Sequence, residues 1–439
     1  MWNPSILLPP ILFLALASAD NTVGKFWWFT DFHLDIWGHT STTDMICAWT
    51  PSPQMESAIQ AMKASNPNPD FILMSGDIVH FPGRNSSDLS RENILDTIAA
   101  VNGWLLQQFP NVSVYPAFGN HDHHPSNNYP VNDVENESSW LYGAVAEMWK
   151  TWLPESALET VRQGGWYAAD VVDVENLRII TLNTNYLTVY NTELIWNTTI
   201  AEVQLEWLEK ELAQAKADNV MVYMNGHHPM VGVHIEGGVE VGSLWPIYSQ
   251  KYQLITQQYS DIIVAHFAGH DHVDEVRLMN ECTYTGPNPD KDSSGVQSCG
   301  GGAIGALYVG QALTNCHVPA YRGWEYSKET LQLVDYDQYW YEEKAATEAE
   351  FDEMPVTMSW PLKYRWSETY SLMDDLSPAS WKEEIVRMQT NQSSYDSFIA
   401  RRSLIDCEFG SICQTFLLCN YLNGANQGTS EFLNCIYHA

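Results

Sequence analysis

The hydrophobic pattern of this chain alternates between short apolar runs and amphipathic segments from about residue 25 to residue 270. The apolar runs are rich in β-branched and aromatic residues. They predict buried strands over residues 25–30, 71–75, 112–118, 177–183, 220–225 and 261–269. Between them, the sequence predicts helices over residues 53–65, 90–109, 139–162 and 201–212, with a break at Pro154. Continuous apolar strands that alternate with helices are typical of a sheet covered on both faces, so the pattern indicates an α/β domain.

The character of the chain changes after about residue 340. Residues 341–355 are acidic and polar, and the segments that follow have a helical pattern and carry four of the eight cysteines. We therefore divide the sequence into a predicted signal peptide over residues 1–19, a main domain over residues 20–340 and a helical, disulfide-containing C-terminal subdomain over residues 341–439.

The N-terminus has the pattern of a secretory signal. Residues 6–16 form an apolar run that is too short to span a bilayer, and the small residues 17–19 fit a cleavage site. No later stretch predicts a transmembrane helix or a lipid-anchor signal. We expect a protein without a stable membrane anchor that is secreted to the extracellular space or delivered to lysosomes. Five sequons agree with a secreted glycoprotein: Asn85, Asn111, Asn136, Asn197 and Asn391.

The eight cysteines predict the disulfides of an oxidising compartment. A zinc ribbon is the alternative, but the sequence contains no Cys-x-x-Cys pair. In the tail we favour pairing between neighbours, Cys407 with Cys413 and Cys419 with Cys435, although spacing alone leaves the connectivity open. The other four cysteines are Cys282 and Cys299, which flank a stretch rich in Gly, Ser and Pro, and the isolated Cys47 and Cys316.

The formal net charge of −33 bears on which molecules the protein can bind. A strongly acidic surface repels polyanions, which argues against nucleic-acid polymers and anionic membranes as partners. A hydrophobic content of 45% indicates a packed globular core rather than a disordered chain.

Candidate metal-binding side chains directly follow five of the six predicted strands. Each of them alone is more simply explained as a loop residue, but five strand ends are difficult to assign to chance. Residues two apart on an extended segment point the same way, so Asp31 with His33, and His270 with His272, can reach one metal cluster. The full set is Asp31 and His33 after the first run, Asp77 after the second, Asn120, His121 and Asp122 after the third, His227 after the fifth, and His270 and His272 after the sixth.

The chemistry of these side chains indicates divalent transition metals. Carboxylate, imidazole and amide oxygen without thiolate suit zinc, iron or manganese. Two such ions roughly 3.5–4 Å apart can hold a phosphoryl group, and a hydroxide between them can attack it in line. Asp77 is the natural carboxylate to bridge the ions. Two ions give about +4, while Asp31, Asp77 and the hydroxide subtract about 3, and the remaining charge of about +1 can attract phosphate within a very acidic protein.

The order Asp-x-His, Gly-Asp, Gly-Asn-His-Asp, Gly-His and Gly-His-x-His resembles the signature of the metallophosphoesterases. The segments GNHDHHP, LNTNYLTVYN and QLEWLEKEL are similar to those of the acid sphingomyelinase-like phosphodiesterases, and the resemblance covers about residues 24–340. It implies that residues 20–340 form a catalytic domain, a calcineurin-like metallophosphoesterase β-sandwich flanked by helices. It also implies two Zn²⁺ ions as cofactors.

The resemblance further implies a role for each site residue. His121 would be the catalytic imidazole that protonates the leaving oxygen. Three acidic residues, Asp122, Asp35 and Asp274, are candidates to orient imidazoles, or else are solvated loop acids. One zinc ion would be held by Asp31, His33, Asp77 and His272, and the other by Asp77, Asn120, His227 and His270.

His80 departs from the family pattern. The family carries another histidine four residues after the bridging aspartate, whereas His80 is three residues after Asp77. Purple acid phosphatases place a metal-binding tyrosine at that three-residue spacing, so a histidine there argues against them. His80 is kept as a second candidate catalytic residue that faces the substrate. For His123 and His124 we expect a structural or substrate-rim role.

These patterns predict an enzyme that hydrolyses phosphodiester or phosphoanhydride bonds of small soluble substrates such as nucleotides. True acid sphingomyelinases carry a lipid-presenting saposin-like domain before the catalytic core, and the few residues between Ala19 and the first strand leave no room for one. Two alternatives stay open: a sphingomyelin phosphodiesterase that acts on lipid, and a catalytically inactive metal-containing binding protein. We expect a monomer.

Overall fold

A computed structural model of the chain describes residues 22–36, 50–80, 89–132, 137–236, 239–285, 296–298, 301–315, 318–344 and 357–402, together with residues 414, 418, 419, 421 and 422. The predicted signal peptide lies outside these residues, as do six of the eight cysteines. The two described cysteines, Cys282 and Cys419, each take part in a disulfide bond. The pairing proposed for the tail involves residues outside this set and stays a prediction.

All six predicted strands occur near their expected bounds, and the structure adds strands that the hydrophobic pattern did not predict, most of them after residue 270. The strands are β1 (Val23–Phe29), β2 (Leu34–Asp35), β3 (Thr50–Pro51), β4 (Phe71–Met74), β5 (Val114–Pro116), β6 (Tyr167–Asp170), β7 (Leu177–Thr181), β8 (Met221–Asn225), β9 (Val233–Glu236), β10 (Val239–Gly242), β11 (Ile263–Ala268), β12 (Glu275–Asn280), β13 (Thr283–Thr285), β14 (Val296–Ser298), β15 (Ala303–Val309), β16 (Ala320–Ser327), β17 (Leu333–Trp340), β18 (Glu342–Lys344), β19 (Thr357–Ser359) and β20 (Leu362–Arg365). The helices are α1 (Ser52–Ser65), α2 (Arg91–Gln108), α3 (Ser139–Trp149), α4 (Glu155–Gly164), α5 (Thr199–Asp218), α6 (Pro246–Gln258), α7 (Trp366–Thr369), α8 (Pro378–Met388) and α9 (Gln392–Arg402).

Two six-stranded sheets form the centre of the fold. The first has the strand order β20-β17-β16-β1-β4-β5, and the second has the order β12-β15-β11-β8-β7-β6. The neighbours β1, β4 and β5 are parallel, and so are β7, β8, β11 and β15. The carboxyl ends of the parallel strands therefore lie together at one edge of each sheet, where open α/β sheets bind ligands.

Aromatic side chains fill the space between the two sheets. The ring of Phe26 on β1 lies 5.8 Å from that of Tyr223 on β8, and the ring of Trp28 lies 5.2 Å from that of Phe267 on β11. All four side chains are buried, and such pairs add specific ring contacts to the burial of apolar area. The predicted β-sandwich flanked by helices is confirmed, and its apolar runs are continuous because the strands are covered on both faces.

A buried polar contact joins the two sheets at their carboxyl ends. Ser75, at the end of β4, donates a hydrogen bond from Oγ to Oδ1 of Asn225 on β8 over 2.8 Å. The Asn225 amide in turn donates to the carbonyl of Met74 over 3.0 Å. The indole of Trp28 donates to Ser75 Oγ over 2.9 Å. Because unpaired buried polar groups are costly, this satisfied network fixes how the two sheet edges face each other.

The predicted helices all occur, and their ends follow from local chemistry. Helix α5 buries Leu205, Leu208 and Leu212, the three leucines that the sequence places on one helical face. Pro154 breaks the segment over residues 139–162 as expected and precedes the first residue of α4. Helix α4 ends at Gly165, whose φ of 81° lies in the left-handed region that favours glycine. None of the helices in the described ranges has the length and apolar character needed to cross a membrane.

The segment after residue 340 is not wholly helical. Strands β18, β19 and β20 come first, and β20 pairs antiparallel with β17, so it extends the first sheet. The helices α7 to α9 follow, and Trp381 on α8 donates from its indole to the hydroxyl of Tyr308 on β15 over 3.1 Å. The prediction missed these strands because each has only three or four residues, too few to display a period. The division of the chain near residue 340 stays a prediction.

Candidate metal centre

The loops after five strands bring the predicted site residues into one buried cluster. The potential ligand atoms form three groups that share members, and within each group the atoms lie within 4.8 Å of one another. The groups are Asp31 with His33 and His272, His33 with Asp77 and His121, and Asp77 with His227 and His270. Asn120 joins the third group through its side-chain oxygen. All seven predicted metal-binding residues and His121 are thus close together in the structure.

The backbone at this cluster is held in a left-handed conformation that residues other than glycine rarely adopt. Five of the seven predicted ligands have φ between 43° and 71°. Such residues cost about 1–3 kcal/mol each and persist where the surrounding structure holds them. Here the backbone N–H of Asp31 donates to the carbonyl of Gly76 over 3.0 Å, and that of His33 donates to the carbonyl of Asp77 over 3.0 Å. The loops after β1 and β4 therefore support each other. The five residues are Asp31, His33, Asp77, His270 and His272.

One half of the cluster consists of Asp31, His33 and His272. The Nε2 atom of His272 lies 3.1 Å from Asp31 Oδ1 and 3.2 Å from His33 Nε2. The carboxylate of Asp31 is held in turn, because it accepts a hydrogen bond from Thr30 Oγ1 over 2.8 Å. Two imidazole nitrogens and a carboxylate oxygen converge here on one small volume.

The other half consists of Asn120, His227 and His270. The Oδ1 atom of Asn120 lies 2.9 Å from His227 Nε2 and 3.0 Å from His270 Nδ1. The second ring nitrogen of His227 lies 2.8 Å from the carbonyl of Ser75, a contact that orients the ring. This half is therefore built on the same strand end that joins the two sheets.

Asp77 lies between the two halves. Its Oδ2 atom is 3.3 Å from His227 Nε2 on one side and 3.5 Å from His33 Nε2 on the other. Its Oδ1 atom accepts a hydrogen bond from the backbone N–H of His121 over 2.8 Å. A single carboxylate thus faces both sets of imidazoles, which is the placement that a bridging ligand needs.

The donor set fits divalent cations. Buried imidazole, carboxylate and amide oxygen atoms converge without thiolate, a combination that suits zinc, iron or manganese. Burial lowers the pKa of His33 to about 3, so this ring is neutral, as a ligand must be. Burial disfavours the charged form of Asp77, yet the nearby His227 and His121 hold its pKa well below the usual range. Burial disfavours the charged form of His227, but the Asp77 carboxylate outweighs it and raises the pKa of this ring to about 9. A metal ion that binds to His227 must therefore displace a proton from it.

Asp122 supports the site through the backbone rather than through an imidazole. Its Oδ1 atom accepts hydrogen bonds from the N–H groups of Ile78 and Val79 over 2.8 and 3.0 Å. Its Oδ2 atom accepts from the N–H of Gly119 over 2.7 Å. The carboxylate therefore ties the loop that carries Asp77 to the loop that carries Asn120. Of the two alternatives for Asp122, the solvated loop acid is wrong, because the residue is buried.

The other two candidate acids are also buried. Asp274 forms an ion pair with Arg322 over 2.6 Å and accepts a hydrogen bond from the hydroxyl of Tyr364. Asp35 is buried on the short strand β2. Neither of them is a solvated loop acid, and the contacts of Asp274 attach its loop to the first sheet.

The remaining histidines of the prediction lie around the cluster. His80 is buried but belongs to none of the three ligand groups found in the described chain, and its catalytic role stays a prediction. His123 packs with its ring 4.6 Å from that of Tyr129 and 5.5 Å from that of Trp140. This packing agrees with a structural role for His123. His124 is half-buried in the same loop.

The structure adds residues that the sequence did not single out. The ring of His228 lies 4.1 Å from that of His270, and its Nε2 atom lies 3.3 Å from Oδ1 of Asn185. The ring of Tyr190 lies 5.3 Å from that of His270 and is half-buried. The doubled histidine in NGHHP was the available signal for His228, and Tyr190 lies in the segment LNTNYLTVYN.

Comparisons with known proteins agree with this geometry. The family model for calcineurin-like phosphoesterases matches residues 24–274. The chain is similar to cyclic GMP-AMP phosphodiesterase SMPDL3A of Homo sapiens, with 29% identity over 94% of this chain and 91% of the relative. It is 31% identical to sphingomyelin phosphodiesterase of Bos taurus over 82% of this chain and 52% of the relative. It is 27% identical to acid sphingomyelinase-like phosphodiesterase 3b of Homo sapiens over 91% of this chain and 87% of the relative.

The close approach of two loops predicts that Gly119→Ala disrupts the cluster. A Cβ atom at Gly119 would lie 2.1 Å from the backbone nitrogen of Asp77 and 2.1 Å from its Oδ1, so Asp77 must move. We expect the variant to lose bound metal and to be less stable by about 1–3 kcal/mol. Gly103→Ala on α2 is the matched control, because a Cβ there meets nothing within 4 Å. It should keep its metal and gain about 0.5–1 kcal/mol. Equal metal content in the two purified variants would contradict the assignment.

Proposed function

The chain belongs to the calcineurin-like phosphoesterase family, and from this premise we propose that it is a zinc-dependent phosphodiesterase of small soluble substrates such as nucleotides. The observation that supports the proposal most directly is the position of Asp77. Its Oδ2 atom lies between His227 Nε2 at 3.3 Å and His33 Nε2 at 3.5 Å, within a cluster of further ligand atoms. Hydrolysis of phosphate esters is the activity of the family, and the finer assignments below are our proposals.

We assign two zinc ions to the two halves of the cluster. Asp31, His33 and His272 would hold the first ion, Asn120, His227 and His270 would hold the second, and Asp77 would contact both. When bound, the ions would act as Lewis acids on the phosphoryl group and lower the pKa of a water molecule to make it a nucleophile. The protein contributes the fixed positions of the ligands, which the strained and hydrogen-bonded loops hold in place.

His121 is proposed to donate the proton to the leaving oxygen. Its backbone N–H is bound to Asp77 Oδ1 over 2.8 Å, which ties its position to the centre of the cluster. Its Nε2 atom lies 3.8 Å from Asp77 Oδ2. The side chain of His121 is 10% exposed and that of the proposed ligand His272 is 16% exposed, whereas Asp77 is 2% exposed, so the two imidazoles lie on the more accessible side of the cluster. His80 is the second candidate for a catalytic role.

The proposed substrate class is nucleotides and related soluble diesters. The similarity to a protein named as a cyclic GMP-AMP phosphodiesterase extends over 94% of this chain, whereas the similarity to a sphingomyelin phosphodiesterase extends over 82%. The net charge of −33 also disfavours contact with anionic membranes. A small electropositive metal centre in an acidic protein favours phosphate groups that diffuse to it freely.

A lipid substrate is the second candidate, and one surface feature favours it. Trp196 is 81% exposed and the adjacent Ile195 is 61% exposed. They lie at the end of a short 3-10 helix (Thr192–Ile195). This helix is attached to the segment after Asn120, because Thr192 Oγ1 donates to Oδ1 of Asn128 over 2.8 Å. Exposed apolar side chains that are adjacent to each other can enter a lipid interface.

We also propose that the protein is secreted. Cys282 and Cys419 take part in disulfide bonds, which persist in oxidising compartments. Two of the sequons, Asn111 and Asn391, are exposed and could carry glycans. Glycosidase treatment of protein expressed in a eukaryotic host measures whether these sites are used.

The role of His121 predicts a loss of rate that depends on the leaving group. His121→Ala should fold, retain its metal and hydrolyse an alkyl phosphodiester about 10²–10⁴-fold more slowly, because the alkoxide then leaves without a proton. Bis-p-nitrophenyl phosphate should be affected much less, because p-nitrophenolate is stable without protonation. The measurement is kcat for both esters with the same enzyme preparations. An equal loss for the two esters would exclude a proton donor, and near-normal turnover of the alkyl ester would remove His121 from the mechanism.

The substrate assignment predicts the ranking of kcat/KM values. We expect the larger of the values for cyclic GMP-AMP and CDP-choline to exceed that for sphingomyelin in detergent micelles by more than tenfold, about 1.4 kcal/mol of transition-state preference. The values should be measured with added zinc from acid to neutral pH. The double variant Ile195→Ser/Trp196→Ser serves as the matched probe and should leave nucleotide hydrolysis unchanged. A tenfold preference for sphingomyelin that this variant abolishes would establish the lipid candidate instead.

A further inference from the structure

A buried arginine connects two of the loops that carry the candidate metal ligands. Arg277 on β12 is 1% exposed, and its Nη2 group forms an ion pair with Asp271, which lies between His270 and His272. Its Nη1 group donates a hydrogen bond to the carbonyl of Val231 over 3.2 Å. Val231 belongs to the loop that begins with His227. One guanidinium thus binds both the loop over residues 227–232, here the first histidine loop, and the loop over residues 269–274, the second histidine loop.

The shape of the first histidine loop is adapted to this arginine. Gly232 has a φ of 92°, and a Cβ atom there would lie 2.5 Å from Cδ of Arg277 and 3.0 Å from its Nε. Only glycine combines the left-handed conformation with the space that the guanidinium occupies. The loop therefore closes directly over Arg277.

The arginine is held from the opposite side by the C-terminal part of the chain. Glu275 Oε2 accepts from Arg277 Nη2 over 2.8 Å, and Glu275 Oε1 accepts from Arg402 Nε over 2.6 Å. Arg402 is the last residue of α9, and its Nε atom also donates to the hydroxyl of Tyr421 over 2.7 Å. An unbroken chain of ion pairs thus runs from the C-terminal helix to the second histidine loop.

The charges in this chain of contacts balance. Two arginines face two carboxylates, and all four side chains are buried. Burial disfavours the ionised form of Glu275, but Arg402 and Arg277 outweigh it and lower its pKa to about 2, so the carboxylate is charged at any physiological pH. Removing one member of such a network leaves an unpaired buried charge, whereas an ion pair can be replaced as a unit at much lower cost. The members are Asp271, Glu275, Arg277 and Arg402.

We propose that Arg277 is a positioning residue for the metal centre, which sets the distance between the two histidine loops and is itself fixed by Arg402 of the C-terminal helix. This inference rests on the proposed dinuclear site. Partners that orient metal ligands typically change metal affinity by about 10–100-fold when they are removed. The C-terminal helices are then part of the metal site rather than an appendage to the catalytic domain.

The test measures Co²⁺ binding to the full-length protein. Co²⁺ replaces zinc in sites of this kind, and its visible absorption reports the arrangement of the ligands independently of turnover. The first variant is Arg402→Met. It was chosen because Arg402 pairs with Glu275 and Tyr421, neither of which is a candidate ligand. The second is the double variant Asp271→Asn/Arg277→Met, which removes an ion pair as a unit and keeps the buried charge balanced. The control is Arg365→Met, because Arg365 forms ion pairs with Glu325, Asp335 and Asp337 of the first sheet and none with the histidine loops.

We expect the wild type and Arg365→Met to bind two Co²⁺ ions with the same absorption spectrum. Arg402→Met should bind the more weakly held of the two Co²⁺ ions about tenfold less tightly than the wild type does. The charge-balanced double variant should bind it up to about 100-fold less tightly, and both variants should have an altered spectrum. Wild-type affinity and spectrum in either folded variant would overturn the proposal, and the double variant decides the matter if Arg402→Met does not fold. A wild type that binds no Co²⁺ at this cluster would instead refute the proposed dinuclear site, and the inference with it.

Discussion

The structure depends on the buried contact that joins the carboxyl ends of its two sheets. Ser75 and Asn225 hydrogen-bond to each other where β4 and β8 end, and Asn225 also reaches the carbonyl of Met74. Aromatic rings hold the two inner faces together through specific contacts. The hydrogen bonds at Ser75 and Asn225 add a polar constraint at the strand ends, because leaving such buried groups unpaired would be costly. With this constraint, the loops that start at Gly76 and Gly226 face one another at hydrogen-bonding distance. The site exists because these two edges are fixed together.

The cluster then concentrates polar groups that the core would otherwise exclude. Asp77 and His227 come from different sheets, and their side chains meet at 3.3 Å. The buried carboxylate remains ionised because imidazoles surround it, and the imidazoles remain buried because the carboxylate and the backbone bind them. Strained backbone at five of the proposed ligands is compatible with a stable fold because neighbouring loops exchange backbone hydrogen bonds. Such an arrangement is costly for a protein that has no cation to bind.

The central strands and the candidate ligands could be predicted from the sequence, because apolar runs and the polar residues that follow them are local features of the chain. The apolar runs of β1, β4, β8 and β11 are short and continuous, and the ligand residues follow them directly, so strand ends and chemistry could be identified together. The assignment of these side chains to two ligand sets came from the resemblance of the motif order to the metallophosphoesterases. Half of the strands in the two six-stranded sheets were not predicted: β6, β12, β15, β16, β17 and β20. The pairing of β20 with β17 depends on tertiary contacts rather than on a pattern.

The contacts that support the metal ligands could not be predicted, because they join residues that are far apart in the sequence and no periodic pattern marks such pairs. Glu275 and Arg402 are 127 residues apart and meet only after both sheets and the C-terminal helices are in place. For Asp122 and Asp274 two alternatives stayed open, an acid that orients an imidazole and a solvated loop acid, because an acidic loop residue gives no sign of burial in the sequence. Their partners are backbone amides for one and an arginine for the other.

The proposed function depends most directly on two metal ions, one on either side of Asp77. The decisive measurement is an anomalous difference map recorded at the zinc absorption edge from crystals of the protein grown with zinc. We predict two peaks about 3.5–4 Å apart, one beside Asp31, His33 and His272 and the other beside Asn120, His227 and His270, with Asp77 between them. The proposed dinuclear site would be contradicted if zinc were bound only at surface acids. It would also be contradicted if one half of the cluster held a zinc ion and the other half held none.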